Sequence, residues 1–150
     1  MHYTNAVTLE SFRIVSFSPF SLPHCATVDI PVGNFIIPKG AGIFPGLLNA
    51  MYDPNYFPDP HSFKPERFLD ADGKYIHNDH VIPFSIGKRH CPGQSLAEKE
   101  FFLFIAGILQ KFDITSPPMQ KLPSYHIDDI PVPGIVRPCP SYEMIFSLRT

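Results

Sequence analysis

Phe84-Ser85-Ile86-Gly87-Lys88-Arg89-His90-Cys91-Pro92-Gly93 is the stretch on which the reading of this chain turns. It stops where the longest helical pattern begins. Proline is favoured at the first helical position, so Pro92 makes Cys91 the expected cap of that helix, its sulfur beside unpaired amides and the positive end of the helix dipole. Lys88, Arg89 and His90 add positive potential, the setting in which proteins hold a sulfur as thiolate for metal ligation or nucleophilic attack. Gly87 and Gly93 allow sharp turns and the close approach of something flat, and Phe84 is placed to shield the sulfur from water.

Other readings of Cys91 compete with this one. A lone cysteine is most often a small buried hydrophobe. A His-Cys pair also heads phosphatase loops, which cradle phosphate with a glycine three and an arginine six residues past the cysteine; here Gln94 and Ala97 hold those places. A zinc site built from His24-Cys25 and His90-Cys91 has adjacent ligands, whereas structural zinc sites space theirs by about two to five residues.

Outward from the decapeptide, Phe101, Phe104, Ile105, Ile108, Leu109 and Phe112 recur at helical spacing, with Glu98, Lys99, Gln110 and Lys111 on the other face. That pattern predicts one amphipathic helix of about 20 residues, about 30 Å long. Elsewhere proline sets the limits. It fills 18 of 150 positions, nine of them between Pro19 and Pro65 and seven between Pro117 and Pro140; ordinary usage is about 5%. The proline-free windows in which helices can form are Met1 to Ser18, Glu66 to Ile82 and Gly93 to Ser116. In the first, Val7, Leu9 and Phe12, with Glu10 and Arg13 three residues apart, fit the last turns of a helix. Asn34 to Ile37 and Ala41 to Phe44 flank Pro38-Lys39-Gly40 and predict a hairpin. Tyr52 to Asp72 carries five aromatics and four prolines, so a packed, irregular meander that frames a site is expected there. The tail, Tyr125 to Arg149, has a proline and glycine cluster at Pro131 to Gly134 between strand-like runs ending in Tyr142 to Leu148.

The whole composition bounds the function. A chain of 150 residues with 44% apolar and 17% charged residues suits one folded unit rather than a disordered one. Twelve basic against 14 acidic side chains give a net charge of −2, which supplies no field for a nucleic-acid backbone. Cys25, Cys91 and Cys139 are odd in number and widely spaced, suggesting a reducing compartment rather than a disulfide framework. The longest apolar run, Phe101 to Leu109, is about half a membrane span, and Met1-His2-Tyr3 lacks the regions of a signal peptide, so nothing in this chain is expected to insert into a bilayer by itself.

The pattern Phe84-x-x-Gly87-x-Arg89-x-Cys91-x-Gly93 matches, at every fixed position, the heme-ligand motif of the cytochrome P-450 superfamily, the heme-thiolate monooxygenases, which this chain resembles. Further marks of that family follow in the right order: Glu10-x-x-Arg13 ending a helix, Pro65-Glu66-Arg67-Phe68 in the meander, and Ala97 to Phe102 opening the long helix. Thr4-Asn5-Ala6-Val7, Leu22-Pro23-His24 and Ile37-Pro38-Lys39-Gly40 look most like the animal microsomal branch. The resemblance implies an α+β fold, the C-terminal part of the cytochrome P-450 fold, with one long helix after the cysteine loop, short β-hairpins and an irregular Pro-rich meander. It implies that Cys91 ligates the iron of heme (iron protoporphyrin) as thiolate, that Phe84, Gly87, Arg89, Gly93 and His24 contribute to cofactor binding, and that Arg89 and His24 pair with the heme propionates. Glu10, Arg13 and Arg67 would form a buried structural network. Phe17 to Ser21 and Val132 to Ile135 resemble loops that touch substrate.

By the same resemblance the activity is insertion of one oxygen atom of dioxygen into an apolar organic substrate, with a flavoprotein reductase as electron donor, at the endoplasmic reticulum membrane. The likeness covers essentially all of residues 1–150, which correspond to the C-terminal heme-ligating portion of a family member, the N-terminal two thirds being absent. The membrane anchor, the residues that deliver protons to bound oxygen and most of the distal pocket belong to that absent part, so membrane contact is expected only through the missing anchor. A truncated, non-catalytic product with weak or no heme binding is the alternative expectation. Gln94 stands where many relatives carry glutamate.

Overall fold

A computed structural model of the chain describes residues 1–126, 129–130 and 136–149. It opens with helix α1, His2–Val15, whose buried residues Ala6, Glu10, Arg13 and Ile14 form one stripe at helical spacing, with Thr8 buried on the other side. Arg13 lies in the last turn, where a cation complements the helix dipole, and Ser16 ends the helix in a left-handed conformation (φ 38°). Four short strands follow: β1, His24–Cys25; β2, Ile30–Val32; β3, Phe35–Ile37; and β4, Gly42–Ile43. Helix α2, Leu47–Met51, leads into the meander, which holds a 3-10 turn at Pro65–Phe68. After a second 3-10 turn, Gly87–Arg89, come helix α3, Gln94–Lys111, and strands β5, Phe112–Thr115, and β6, Ile145–Leu148. The mixture of helices and small antiparallel sheets is the α+β class expected.

Several local expectations are corrected. The strands around Pro38-Lys39-Gly40 do not pair with each other: β3 pairs with β2 and β4 with β1, both antiparallel. The turn itself is present, with Gly40 at φ 87° and Ala41 N–H donating to Pro38 O at 3.1 Å, the glycine position a type II turn requires. Val32 faces Phe35 across Gly33-Asn34, and Gly33 takes φ 57°; a tight hairpin with glycine first in its loop therefore captures β3. Ala26 then binds the other side of the Pro38 turn through both its backbone groups, to Ala41 O and Gly40 N–H at 3.0 and 2.8 Å.

The window Glu66 to Ile82 holds no α-helix. Beyond the 3-10 turn, the Asp70 carboxylate accepts the amides of Asp72 and Lys74 at 2.9 and 2.8 Å, and Gly73 sits at φ 75°. An aspartate that bonds the backbone ahead of it stabilises a turn against a helix. The tail strand β6 forms, paired with β5 in the register Phe112–Leu148 to Thr115–Ile145. The Pro131 to Gly134 cluster lies outside the described residues.

The core lies where α1, α2 and the meander meet: Ala6, Leu47, Met51, Phe57, Phe68 and Val81, bordered by Leu9, Tyr52, Leu69, Tyr75 and Ile82. Phe57 and Phe68 are fully buried, each worth about 1.5–3 kcal/mol of transfer free energy. Helix α3 is different, since none of its residues is fully buried. Phe101, Ile105 and Ile108 are half-buried, as is Glu98, which the pattern puts on the solvent face, while Phe104 and Leu109 of the expected apolar face are exposed. The reason is that α1 covers only one side of α3, where the Phe12 ring lies 4.9 Å from that of Phe101.

Candidate functional site

The decapeptide forms a loop between the core and α3. Its ends are joined by the Cys91 amide, which donates to Phe84 O at 2.9 Å. Within it, Ser85 and Gly87 both take positive φ, 65° and 77°, and the His90 amide closes the 3-10 turn on Gly87 O at 3.2 Å. The Phe84 ring meets the Phe12 ring edge-on at 5.3 Å, so Phe84 anchors the loop to α1. Ser21 Oγ bonds Ser85 Oγ at 3.2 Å, which ties the segment after α1, and with it His24 at the start of β1, to the cysteine loop.

Cys91 does not cap the helix. The N-cap is Gly93, and the first intrahelical bond runs from the Ala97 amide to Gly93 O at 3.0 Å. Cys91 instead opens a turn in which Pro92 takes the second position and the Gln94 amide reaches Cys91 O at 3.3 Å. Proline fits that place in a turn as well as it fits the first place in a helix, which is why its position misleads by two residues.

Cys91 is exposed, as are Ile86, Gly87, Lys88, Arg89, His90, Pro92 and Gly93; the buried-hydrophobe reading of the cysteine is therefore set aside. A side chain at Gly93 would lie 3.8 Å from Cys91 Sγ, and one at Gly87 would meet no atom within 4 Å. The surface around the sulfur is thus bare backbone with space beside it. Arg89 and Lys88 have no acidic partner among the described residues. An accessible sulfur, two flanking glycines and unpaired cations suit a flat, anionic group with a soft-ligand metal, and the donor set fits heme. His24 is half-buried on β1 opposite Ile43. Phe17 and Phe20 of the expected substrate loop are exposed, while Val132 to Ile135 lie outside the described residues.

Behind the loop, Glu10 and Arg13 are both fully buried and joined twice, Nε to Oε2 at 2.7 Å and Nη2 to Oε1 at 2.8 Å. Arg13 Nη1 also donates to Met51 O and Pro60 O at 3.0 and 2.8 Å. Glu10 Oε1 accepts the Lys64 amide at 2.8 Å and Arg67 Nε at 3.3 Å, and Arg67 Nη1 reaches Pro58 O at 3.1 Å. Every charge in this buried cluster thus has a partner, the condition under which buried ions persist.

Two features escape sequence reasoning. Arg137 is buried, and its backbone and side chain bind Phe17 O and Val15 O at 2.8 and 3.3 Å; it closes the end of α1 from the far tail, with no local signal. A cleft of about 440 Å3 lies between α1 and α3, lined by Leu9, Phe12, Tyr75, Glu98 and Phe102 among others. Burial, followed by the Glu98 charge, pushes the Tyr75 hydroxyl above its ordinary value.

A family model described as Cytochrome P450 matches residues 1–146. Cytochrome P450 2B4 of Oryctolagus cuniculus is 42% identical over 150 residues, covering 99% of this chain and 30% of that protein. Farnesoate epoxidase of Bombyx mori is 40% identical over 149 residues, 99% of this chain and 29% of that protein. Cytochrome P450 2C3 of Oryctolagus cuniculus is 44% identical over 147 residues, 97% and 29%. The chain thus spans about 30% of the length of these relatives.

Proposed function

The chain belongs to the cytochrome P450 family, whose defining cofactor is heme iron, and from that membership and the exposed Cys91 loop we propose that residues 1–150 are the C-terminal heme-ligating portion of a heme-thiolate monooxygenase. The observation that carries the reading is the exposed sulfur of Cys91 on a loop bounded by Gly87 and Gly93. When bound, the heme supplies activation of dioxygen, one atom of which enters an apolar organic substrate while the other leaves as water, with electrons from a flavoprotein reductase.

The chain's own residues hold and orient. Cys91 ligates the iron as thiolate, and Gly87 and Gly93 let the flat macrocycle approach the backbone. Arg89 and His24 bind the propionates by charge-assisted hydrogen bonds. Phe84, set against Phe12, fixes the height of the loop over α1. Glu10, Arg13 and Arg67 lock the meander against α1 behind the site. The name of farnesoate epoxidase supports an apolar substrate, and the likeness of Thr4-Asn5-Ala6-Val7, Leu22-Pro23-His24 and Ile37-Pro38-Lys39-Gly40 to the animal microsomal branch supports an enzyme of the endoplasmic reticulum membrane; no helix among the described residues is long and apolar enough to cross a membrane.

A second reading, a truncated non-catalytic chain with weak or no heme binding, draws support from the exposed apolar side of α3, where Leu103 and Phe104 are 68% and 67% exposed. One experiment addresses both. Hemin added to the chain, then reduced under carbon monoxide, gives a strongly red-shifted Soret band if a thiolate ligates the iron, and Cys91→His abolishes the shift. An unchanged band in that variant overturns the assignment, and the absence of heme binding by the unaltered chain selects the second reading.

A further inference from the structure

Gly87 O receives two hydrogen bonds from a single residue: the His90 amide at 3.2 Å and His90 Nδ1 at 2.7 Å. A carbonyl oxygen only accepts, so Nδ1 carries the hydrogen, in the neutral ring and the protonated one alike. The turn that this bond closes lies directly before Cys91 and follows a residue in a disfavoured conformation. Left-handed backbone is unfavourable for a non-glycine residue such as Ser85 (φ 65°), so hydrogen bonds must hold it. Of the bonds in the loop, the imidazole's is the shortest; the Cys91 amide to Phe84 O is 2.9 Å and the Ser85 amide to Ile82 O is 3.1 Å.

We propose that His90 is a positioning residue for Cys91, its ring bracing Gly87 O so that the 84–91 turn presents the sulfur in one fixed place. The proposal rests on the reading of Cys91 as heme ligand and gives His90 a task other than added positive charge, since the brace exists in either protonation state. Both side chains branch to an Nδ atom, so His90→Asn keeps a donor near the same place, while His90→Leu fills similar space without one.

The test uses the full chain with hemin and, separately, without it. In the heme-free chain, amide hydrogen exchange at His90 and Cys91 is expected to be about two- to tenfold faster in His90→Leu, the range set by the net value of one hydrogen bond, and near the unaltered rate in His90→Asn. With hemin, reduced under carbon monoxide, the share of the strongly red-shifted Soret band falls in His90→Leu and is restored in His90→Asn. Equality of His90→Leu with the unaltered chain in both measurements overturns the proposal, as does an asparagine variant as impaired as the leucine one. If the unaltered chain gives no red-shifted band, the ligand reading fails, and the exchange comparison then decides the brace: faster in leucine and normal in asparagine supports it, no difference overturns it.

Discussion

Glu10 shows how much one residue carries in this chain. Its two carboxylate oxygens meet Arg13, Arg67 and the Lys64 amide, and it is fully buried. Glu10→Gln keeps the shape but strands the Arg13 guanidinium, also fully buried, without its counter-charge. Breaking a buried pair from one side costs about 3–5 kcal/mol, a large share of the about 5–15 kcal/mol that holds a typical domain together. Chemical denaturation of the variant is therefore expected to show a much lower midpoint. The spacing of Glu10 and Arg13 is legible in sequence, but spacing alone fits an exposed helix pair equally well. What buries them is the carbonyl shell of Met51, Pro60 and Ser62, placed by a meander with no regular pattern. Cys91 is the reverse case: its motif names it at once, yet its local geometry, two residues short of the cap, follows from a turn that Pro92 disguises.

At the scale of elements, α1 is fastened to the 3-10 turn at Pro65–Phe68 on its outer side by the Tyr3 hydroxyl, which donates to Glu66 Oε1 at 2.9 Å. A bond within the turn from the Glu66 backbone, and then the tyrosine, hold the Glu66 carboxyl below its ordinary value of 4.5. The same contact raises the Tyr3 hydroxyl above 10.0. A carboxyl whose folded value is depressed contributes stability above its unfolded value and loses it as pH falls through the folded one. A hydroxyl whose folded value is raised contributes below its unfolded value and loses it as pH rises through the folded one. Both ends of the pH range therefore loosen this contact. Tyr3→Phe is expected to move the Glu66 titration, followed by carboxyl NMR, upward toward the ordinary value, and an unmoved titration would show that the backbone bond alone sets it. Sequence reasoning places α1, the meander and α3 because proline-free stretches and periodicity are local. Strand pairing is local only for β2 and β3, joined across Gly33-Asn34; β4 pairs with the more distant β1, and so β3 and β4, adjacent along the chain, take different partners.

At the scale of the molecule, surface area is the telling quantity. The chain exposes 10750 Å2 at a mass of 16.9 kDa, where scaling for a compact monomer gives about 7,700 Å2. The excess includes large apolar groups, among them Phe17, Phe35, Ile36, Leu103 and Phe104, and apolar surface left in water promotes association. The chain is expected to bind a hydrophobic dye and to sediment with a concentration-dependent mass, and Leu103→Glu with Phe104→Glu is expected to lower the dye binding and the concentration dependence while changing the unfolding free energy by about 0.5 kcal/mol or less per substitution. A concentration-independent mass in the unaltered chain would end that expectation. The sequence by itself determined the family, the cysteine, the glycines beside it, and the positions of the long helices, because each is written in residue type and short-range spacing. Only the tertiary structure decided that Cys91 lies exposed ahead of its helix, that Glu10 and Arg13 are buried, that Arg137 closes α1 from the tail, and that β1 pairs with β4 and β5 with β6. Those outcomes depend on which distant backbone groups come to lie beside each side chain, and no local pattern encodes that.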